Sequence, residues 1–298
     1  MFEVYCLYDI QNIRKERLEG IRLNAAYLGK EKRMGRLFVN NRTLIVPVDD
    51  SLIFGPFGGL QELESTVSCI AKRKPTAILG YKGIYAREKF INIPFILNIT
   101  ASTTMGKHLQ KVFVSSAKEA LVLGADCVAV HINYSSEYEN EMLSNLAKTV
   151  SEADALGMPV LAISYPRKQR NGEDYNYEDL MASNRDKYTD LVCHCVRTSA
   201  EVGADIIKTH YTGDTETFRR VVDSAMGIPV VVAGGPLMEI QDSYEIVKSV
   251  LTAGAAGISF GRNVFNSPKV GPYIEGLNAL IFNNASVEDA MEIYLSNE

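Results

Sequence analysis

The sequence predicts an α/β protein of the (β/α)8 TIM-barrel class, with an N-terminal helical extension. Eight short apolar runs alternate with helix-like patterns along 298 residues, and that alternation specifies a parallel sheet. Several helical patterns end on a glycine, at Gly124, Gly157, Gly203 and Gly254, directly before the next run. This is how a helix stops when the chain must turn back into a strand. Eight units close a barrel, and one barrel takes about 250 residues.

Residues 1–42 read as a polar, helix-prone extension and 43–298 as a single barrel domain. Lys30, Lys32, Arg33 and Arg36 cluster before the first strand, as a solvated face or a subunit contact. The apolar runs are 43–50, 76–82, 94–100, 127–134, 158–166, 205–211, 229–235 and 257–265. Helical patterns between them include 115–123, 141–156, 186–202, 215–224 and 243–253, and a closing helix is expected over 278–295. An open doubly wound sheet is the competing architecture. No Gly-x-Gly-x-x-Gly follows the first run, which disfavours the dinucleotide-binding form of that sheet.

Net charge is −5, which argues against a general nucleic-acid or anionic-membrane surface. No apolar run approaches the roughly 20 residues needed to span a bilayer. The first residues lack a basic stretch leading into an apolar core, so no secretory signal is expected. Five cysteines without framework spacing fit a reduced, cytoplasmic protein. Cys193-His194-Cys195 resembles a metal-binding fragment, but it falls in a helical pattern and has no second ligand pair.

In a barrel the chemistry sits at the C-terminal ends of the strands. The sixth run, within Gly203-Ala-Asp-Ile-Ile-Lys-Thr-His-Tyr-Thr-Gly213, holds Lys208 among apolar residues. Such a lysine is either a core residue that snorkels or pairs, or an amine desolvated until it attacks carbonyls as a Schiff-base nucleophile. The seventh and eighth runs end in Gly234-Gly235 and Gly261-Arg262. Loops there hold phosphate in many barrels; the plainer alternative is a tight turn. A strand lysine beside a phosphate site fits carbonyl chemistry on a phosphorylated sugar or triose. Lys82 or Arg167 would supply the neighbouring cation, and Tyr165 and Asp49 an acid–base group. Asp49 is equally readable as a helix cap or a partner of Lys82, Tyr165 as packing, and His131 as a satisfied core histidine. Only His108, His131, His194 and His210 are present, too few at strand ends for zinc-dependent aldol chemistry. No cofactor and no metal are expected.

Several stretches resemble a known family. They are Gly203–Asp214, the run PVVVAGGP at 229–236, and Gly254-Ala-Ala-Gly-Ile-Ser-Phe-Gly-Arg-Asn-Val-Phe265, with Gly29-Lys-x-x-Arg-Met-x-Arg-Leu-Phe38 and Gly55-Pro-x-x-Gly-Leu60 before them. They are similar to the archaeal-type class I fructose-bisphosphate aldolases and, equally, to the related 2-amino-3,7-dideoxy-D-threo-hept-6-ulosonate synthases, the DeoC- and FbaB-like aldolases. The resemblance implies a TIM barrel assembled into a homo-oligomer. It implies Lys208 as Schiff-base lysine, Tyr165 as acid–base tyrosine, Asp49 as the first-strand aspartate, and Gly234, Gly235, Gly261 and Arg262 as phosphate cradle. Arg167, Lys82 and His131 are further substrate-binding candidates. The sequence departs from the family at Asp50, where histidine is usual, at His210, where serine or tyrosine is usual, and at Lys168, where glycine is common. The expected activity is metal-independent aldol joining or cleavage of a ketose phosphate, such as fructose 1,6-bisphosphate or dihydroxyacetone phosphate. The alternatives are a biosynthetic aldolase with aspartate semialdehyde as acceptor, or, from a likeness at Ser136-Glu-Tyr-Glu139, coenzyme A-dependent acyl transfer from a phosphorylated diketone. A fourth is a phosphosugar-binding barrel without catalysis.

Overall fold

The computed structural model describes residues 25–86 and 92–296. Residues 1–24, with Cys6 and the start of the extension, lie outside the described residues. Eight parallel strands form a closed barrel: β1 Thr43–Pro47, β2 Ala77–Gly80, β3 Phe95–Asn98, β4 Cys127–Tyr134, β5 Val160–Pro166, β6 Ile206–Thr209, β7 Val230–Ala233 and β8 Gly257–Ser259. Each strand pairs with its sequence neighbours, and β8 returns to β1. The seam is tight. A side chain at Gly257 would place its Cβ 1.8 Å from the Thr43 carbonyl oxygen, so only glycine lets β8 lie against β1 there.

The main helices are α1 Ala25–Leu37, α2 Leu63–Lys72, α3 Ala117–Leu123, α4 Glu139–Leu156, α5 Arg185–Val202, α6 Thr215–Ser224, α7 Ile240–Thr252, α8 Val270–Phe282 and α9 Val287–Ser296. The glycine stops hold: Gly124, Gly157 and Gly203 take left-handed backbone after α3, α4 and α5. The single closing helix expected over 278–295 is instead two helices, α8 and α9. The break has a local cause. Ser286 accepts from the Asp289 amide at 3.1 Å while Asp289 accepts from the Ser286 amide at 2.9 Å, a reciprocal cap that starts a new helix.

The core has two shells. One packs the outer strand faces against the helices. The other fills the barrel and includes Ile45, Leu79, Ile96, Ala129, Leu161, Ile163, Ile206 and Val231. Alternate residues on each strand therefore point inward. That parity carries past the apolar layers to Asn98 on β3, His131 and Asn133 on β4, Tyr165 on β5 and Lys208 on β6, and to Asp49, Tyr81, Arg167 and His210 just beyond the ends of β1, β2, β5 and β6.

Helix α1 closes the opposite, N-terminal end. Leu37 is fully buried in the inner shell, with Met34 and Phe38 packed beside it. Three residues of the basic cluster, expected as a solvated face or subunit contact, tie this helix to the barrel, while Lys32 is exposed. Lys30 pairs with Asp154 and, at 2.9 Å, with Asp205. Arg33 donates to the Gly157 carbonyl at 3.0 Å, and Arg36 donates to Asp126 at 2.6 Å. Those acids lie far away in sequence, so the pairing was not readable from the cluster itself. Among the described residues no helix is long and apolar enough to cross a membrane.

Candidate active site

Lys208 lies on β6 with Ile163 of β5 on one side and Val231 of β7 on the other. Only 8% of the residue is exposed. Its pocket, of about 100 Å³ and open to solvent, lies at the C-terminal end of the barrel. Asp49, His131, Tyr165, Arg167, Gly234, Gly235, Gly261 and Arg262 line the same pocket, so nine of the expected site residues, Lys208 included, meet in one place. Lys82 does not join them. Its amine is 3.0 Å from Glu119, in a separate cleft. The reason is parity: β2 points residues 77, 79 and 81 inward, so Tyr81 faces the barrel and Lys82 faces away. Of the two cations expected beside Lys208, Arg167 is the one that shares its pocket.

Aromatic contacts fix Tyr165. Its ring stacks on His210 at 4.2 Å and meets the edge of His131 at 5.1 Å, with the Arg167 guanidinium 5.4 Å from its centroid. Tyr188, from α5, lies 3.3 Å from Nδ1 of His210. The Asp49 carboxylate accepts from Asn98 Nδ2 at 2.9 Å and makes no side-chain cap to the helical turn that follows it. It is therefore neither a cap nor a partner of Lys82.

At the other wall, Gly235 has left-handed backbone, with φ 64°. The flat face of Gly234 sits against the Phe260 ring and Asn263, where a Cβ would come within 3.1 Å of the ring. Asn263 donates to the carbonyls of Gly234 and Pro236 at 3.0 and 3.1 Å, so a side chain fixes this turn from below. Arg262 closes the wall, with its Nε 3.2 Å from Asp50.

Three histidines, His108, His131 and His210, are held below the usual imidazole range. Burial, then Lys111 and Arg167, hold His131 well below the usual imidazole range. Burial first, with the same two cations, takes His108 down to about 3; burial, Arg167 and Lys208 do the same to His210. Nε2 of His131 and Oγ of Ser259 are buried without a hydrogen-bond partner among the described residues, and both residues line the pocket. Buried polar atoms are rarely left unpaired, so these two point to a polar ligand. Burial, and after it Asp49, raises the Asp50 carboxyl above its ordinary value.

Lys111, in the loop between β3 and β4, escaped the sequence reading. It is 1% exposed, and its amine donates to Ser102 at 2.6 Å. Burial, then Arg167, lowers its pKa to about 7. An amine depressed in the folded state weakens folding below its ordinary value near 10.5, and stability returns as pH rises from about 7 toward 10.5. Lys111→Met is therefore expected to raise the unfolding midpoint, and by more at about pH 6 than at about pH 9. Thermal or urea unfolding at both pH values checks this; an equal shift at each would count against a buried, titrating amine.

Cys193 and His194 do not form a metal fragment with Cys195: on α5 Cys195 is buried while His194 is exposed. Among the described residues no group of three or more His, Cys, Asp or Glu side chains is placed to hold a metal.

The chain is 35% identical, over 88% of its length and 95% of the relative's, to the 2-amino-3,7-dideoxy-D-threo-hept-6-ulosonate synthase of Halobacterium salinarum. It is 33% identical, over 83% of its length and 87% of the relative's, to the 2-amino-4,5-dihydroxy-6-oxo-7-(phosphonooxy)heptanoate synthase of Streptomyces griseus. Its fold matches a Schiff-base-forming fructose-1,6-bisphosphate aldolase with a TM-score of 0.76 and 26% identity, over 85% of this chain and 100% of the other. The family described as DeoC/LacD family aldolase matches residues 43–267, which spans the barrel from the first strand to beyond the last, and the chain belongs to that family of aldolases.

Proposed function

We propose that this aldolase works through a Schiff base on Lys208 and joins a phosphorylated ketone to the aldehyde of an amino acid. The observation that carries the reading is the shared chamber: a strand amine, a tyrosine and an aspartate face a wall of glycines closed by an arginine. The amine of Lys208 adds to the ketone carbonyl, and Tyr165 relays the protons that turn the carbinolamine into an imine and water. The imine draws electrons from the adjacent carbon. Loss of a proton there gives an enamine, which attacks the aldehyde; water then hydrolyses the new imine and frees Lys208. Asp49, held by Asn98, orients the donor's hydroxyl groups. Gly234, Gly235, Gly261 and Arg262 take its phosphate, and His131 offers its unpaired nitrogen to a hydroxyl.

The acceptor follows from the relatives' products. Aldol cleavage of a 2-amino-4,5-dihydroxy-6-oxo-7-(phosphonooxy)heptanoate between carbons 4 and 5 leaves dihydroxyacetone phosphate and aspartate semialdehyde. Arg167, whose Nε donates to Asn176 at 2.5 Å, lines the pocket, and a guanidinium there suits a carboxylate. The same guanidinium suits a second phosphate. That favours, as a second reading, cleavage of fructose 1,6-bisphosphate, the substrate in the matching structure's own name.

Borohydride trapping with dihydroxyacetone phosphate, followed by mass mapping, is expected to place the adduct on Lys208. Aspartate semialdehyde should then consume the trapped-competent donor faster than glyceraldehyde 3-phosphate does. No adduct would reject the mechanism; the reverse order of acceptors would select the second reading.

A further inference from the structure

The phosphate wall contains an acid. Asp50, at the start of the helical turn Asp50–Phe54, lines the pocket beside Gly234, Gly235 and Gly261, and its carboxylate stands 3.2 Å from Nε of Arg262. The neighbouring carboxylate is Asp49. Thus the cation that would grip a phosphate is already engaged, and a dianion placed there would lie against a like charge in a partly desolvated wall. Ser259, 1% exposed, lines the same pocket, and its hydroxyl oxygen has no hydrogen-bond partner among the described residues, so the wall has polar capacity left over despite the acid.

We propose that Asp50 makes anion binding at this wall a proton-coupled event: as a doubly charged phosphate group settles on Arg262, the Asp50 carboxylate takes a proton from solvent, and Arg262 passes from the carboxylate to the ligand. The balance is one solvent proton gained by one carboxylate oxygen, with no other bond made or broken. Burial and the adjacent Asp49 hold the Asp50 carboxyl above its ordinary value, which eases the uptake. The direction is opposite to that of an ordinary phosphate site. Phosphate esters gain their second charge near pH 6 and normally bind better as pH rises; here the wall itself loses affinity as pH rises. Asp50 thereby becomes a specificity residue that disfavours doubly charged ligands at high pH.

This rests on the assignment of the wall as phosphate cradle, and the test separates the two. Sulfate stays a dianion across roughly pH 5 to 8, so its titration reads the protein alone. The full-length protein would be titrated with sulfate by calorimetry in buffers of different ionisation enthalpy, which counts protons. The wild type is expected to take up protons and to lose affinity by up to about tenfold per pH unit. Asp50→Asn, which keeps shape and removes the charge, is expected to bind sulfate with little pH dependence and more tightly at the upper end. The other groups facing Asp50 or the pocket are Asp49, Arg262, Lys208, Arg167, Tyr165, His108 and His131, with Tyr81 and Lys111 also within electrostatic reach of Asp50. Uptake that persists in Asp50→Asn would assign the effect to one of these and overturn the proposal, as would wild-type binding without uptake, a result that needs no variant to fold. Unchanged sulfate binding by Arg262→Ala would instead remove the cradle and the proposal with it.

Discussion

Lys208→Met is expected to lower aldol turnover by about 10⁴-fold or more and to erase the borohydride adduct, while the barrel stays folded. Methionine has nearly the length of lysine without its charge, and the flanking strand residues are Ile163 and Val231, so the apolar stem keeps its packing while the charge is removed from the pocket. Stability should hold or rise, because an amine that is 92% buried by surface area carries a desolvation cost that methionine lacks. Binding of the phosphorylated ketone should survive weakly, since the glycine wall and Arg262 are untouched. Single-turnover measurements with the donor alone give the decisive reading. Donor exchange with solvent protons must vanish with the amine; continued exchange would place the nucleophile elsewhere.

Tyr165→Phe is expected to lower kcat by about 10²–10⁴-fold with a small change in KM. The ring keeps its stack on His210 and its edge contact with His131, so packing is conserved and only the hydroxyl is lost. Imine formation slows, because the carbinolamine must still shed water with help from a proton donor. The adduct should nonetheless accumulate on long incubation, which distinguishes a proton relay from a missing nucleophile. The three neighbouring imidazoles do not replace the hydroxyl: burial keeps them neutral and weakly basic. A rate close to wild type would reduce Tyr165 to a packing residue.

Strand order and strand ends were legible because they depend on local signals, namely apolar runs, glycine stops and charged residues after them. Depth was not. The run at 76–82 is apolar on both faces, as parallel strands are, so it shows no alternation to tell Tyr81 from Lys82. Lys111 lies in a loop whose sequence resembles any exposed connection; only folding buries it beside Arg167. Asp50 was visible as a departure from the family pattern, but its contact with Arg262 joins the first strand's end to the last strand's end. Ser286 and Asp289 carried a readable cap that an apolar stretch on either side concealed.

Among the described residues, Leu37 and the apolar layers above it fill the barrel below Lys208, and the pocket lies at its C-terminal end. A ketone and an aldehyde that both approach Lys208 from that end must share it. A ketone that must occupy the floor goes in before the aldehyde, and the longer product must clear the passage before the next round. Compulsory order of addition is thus a matter of plumbing: the aldehyde, offered early in excess, should obstruct its own partner.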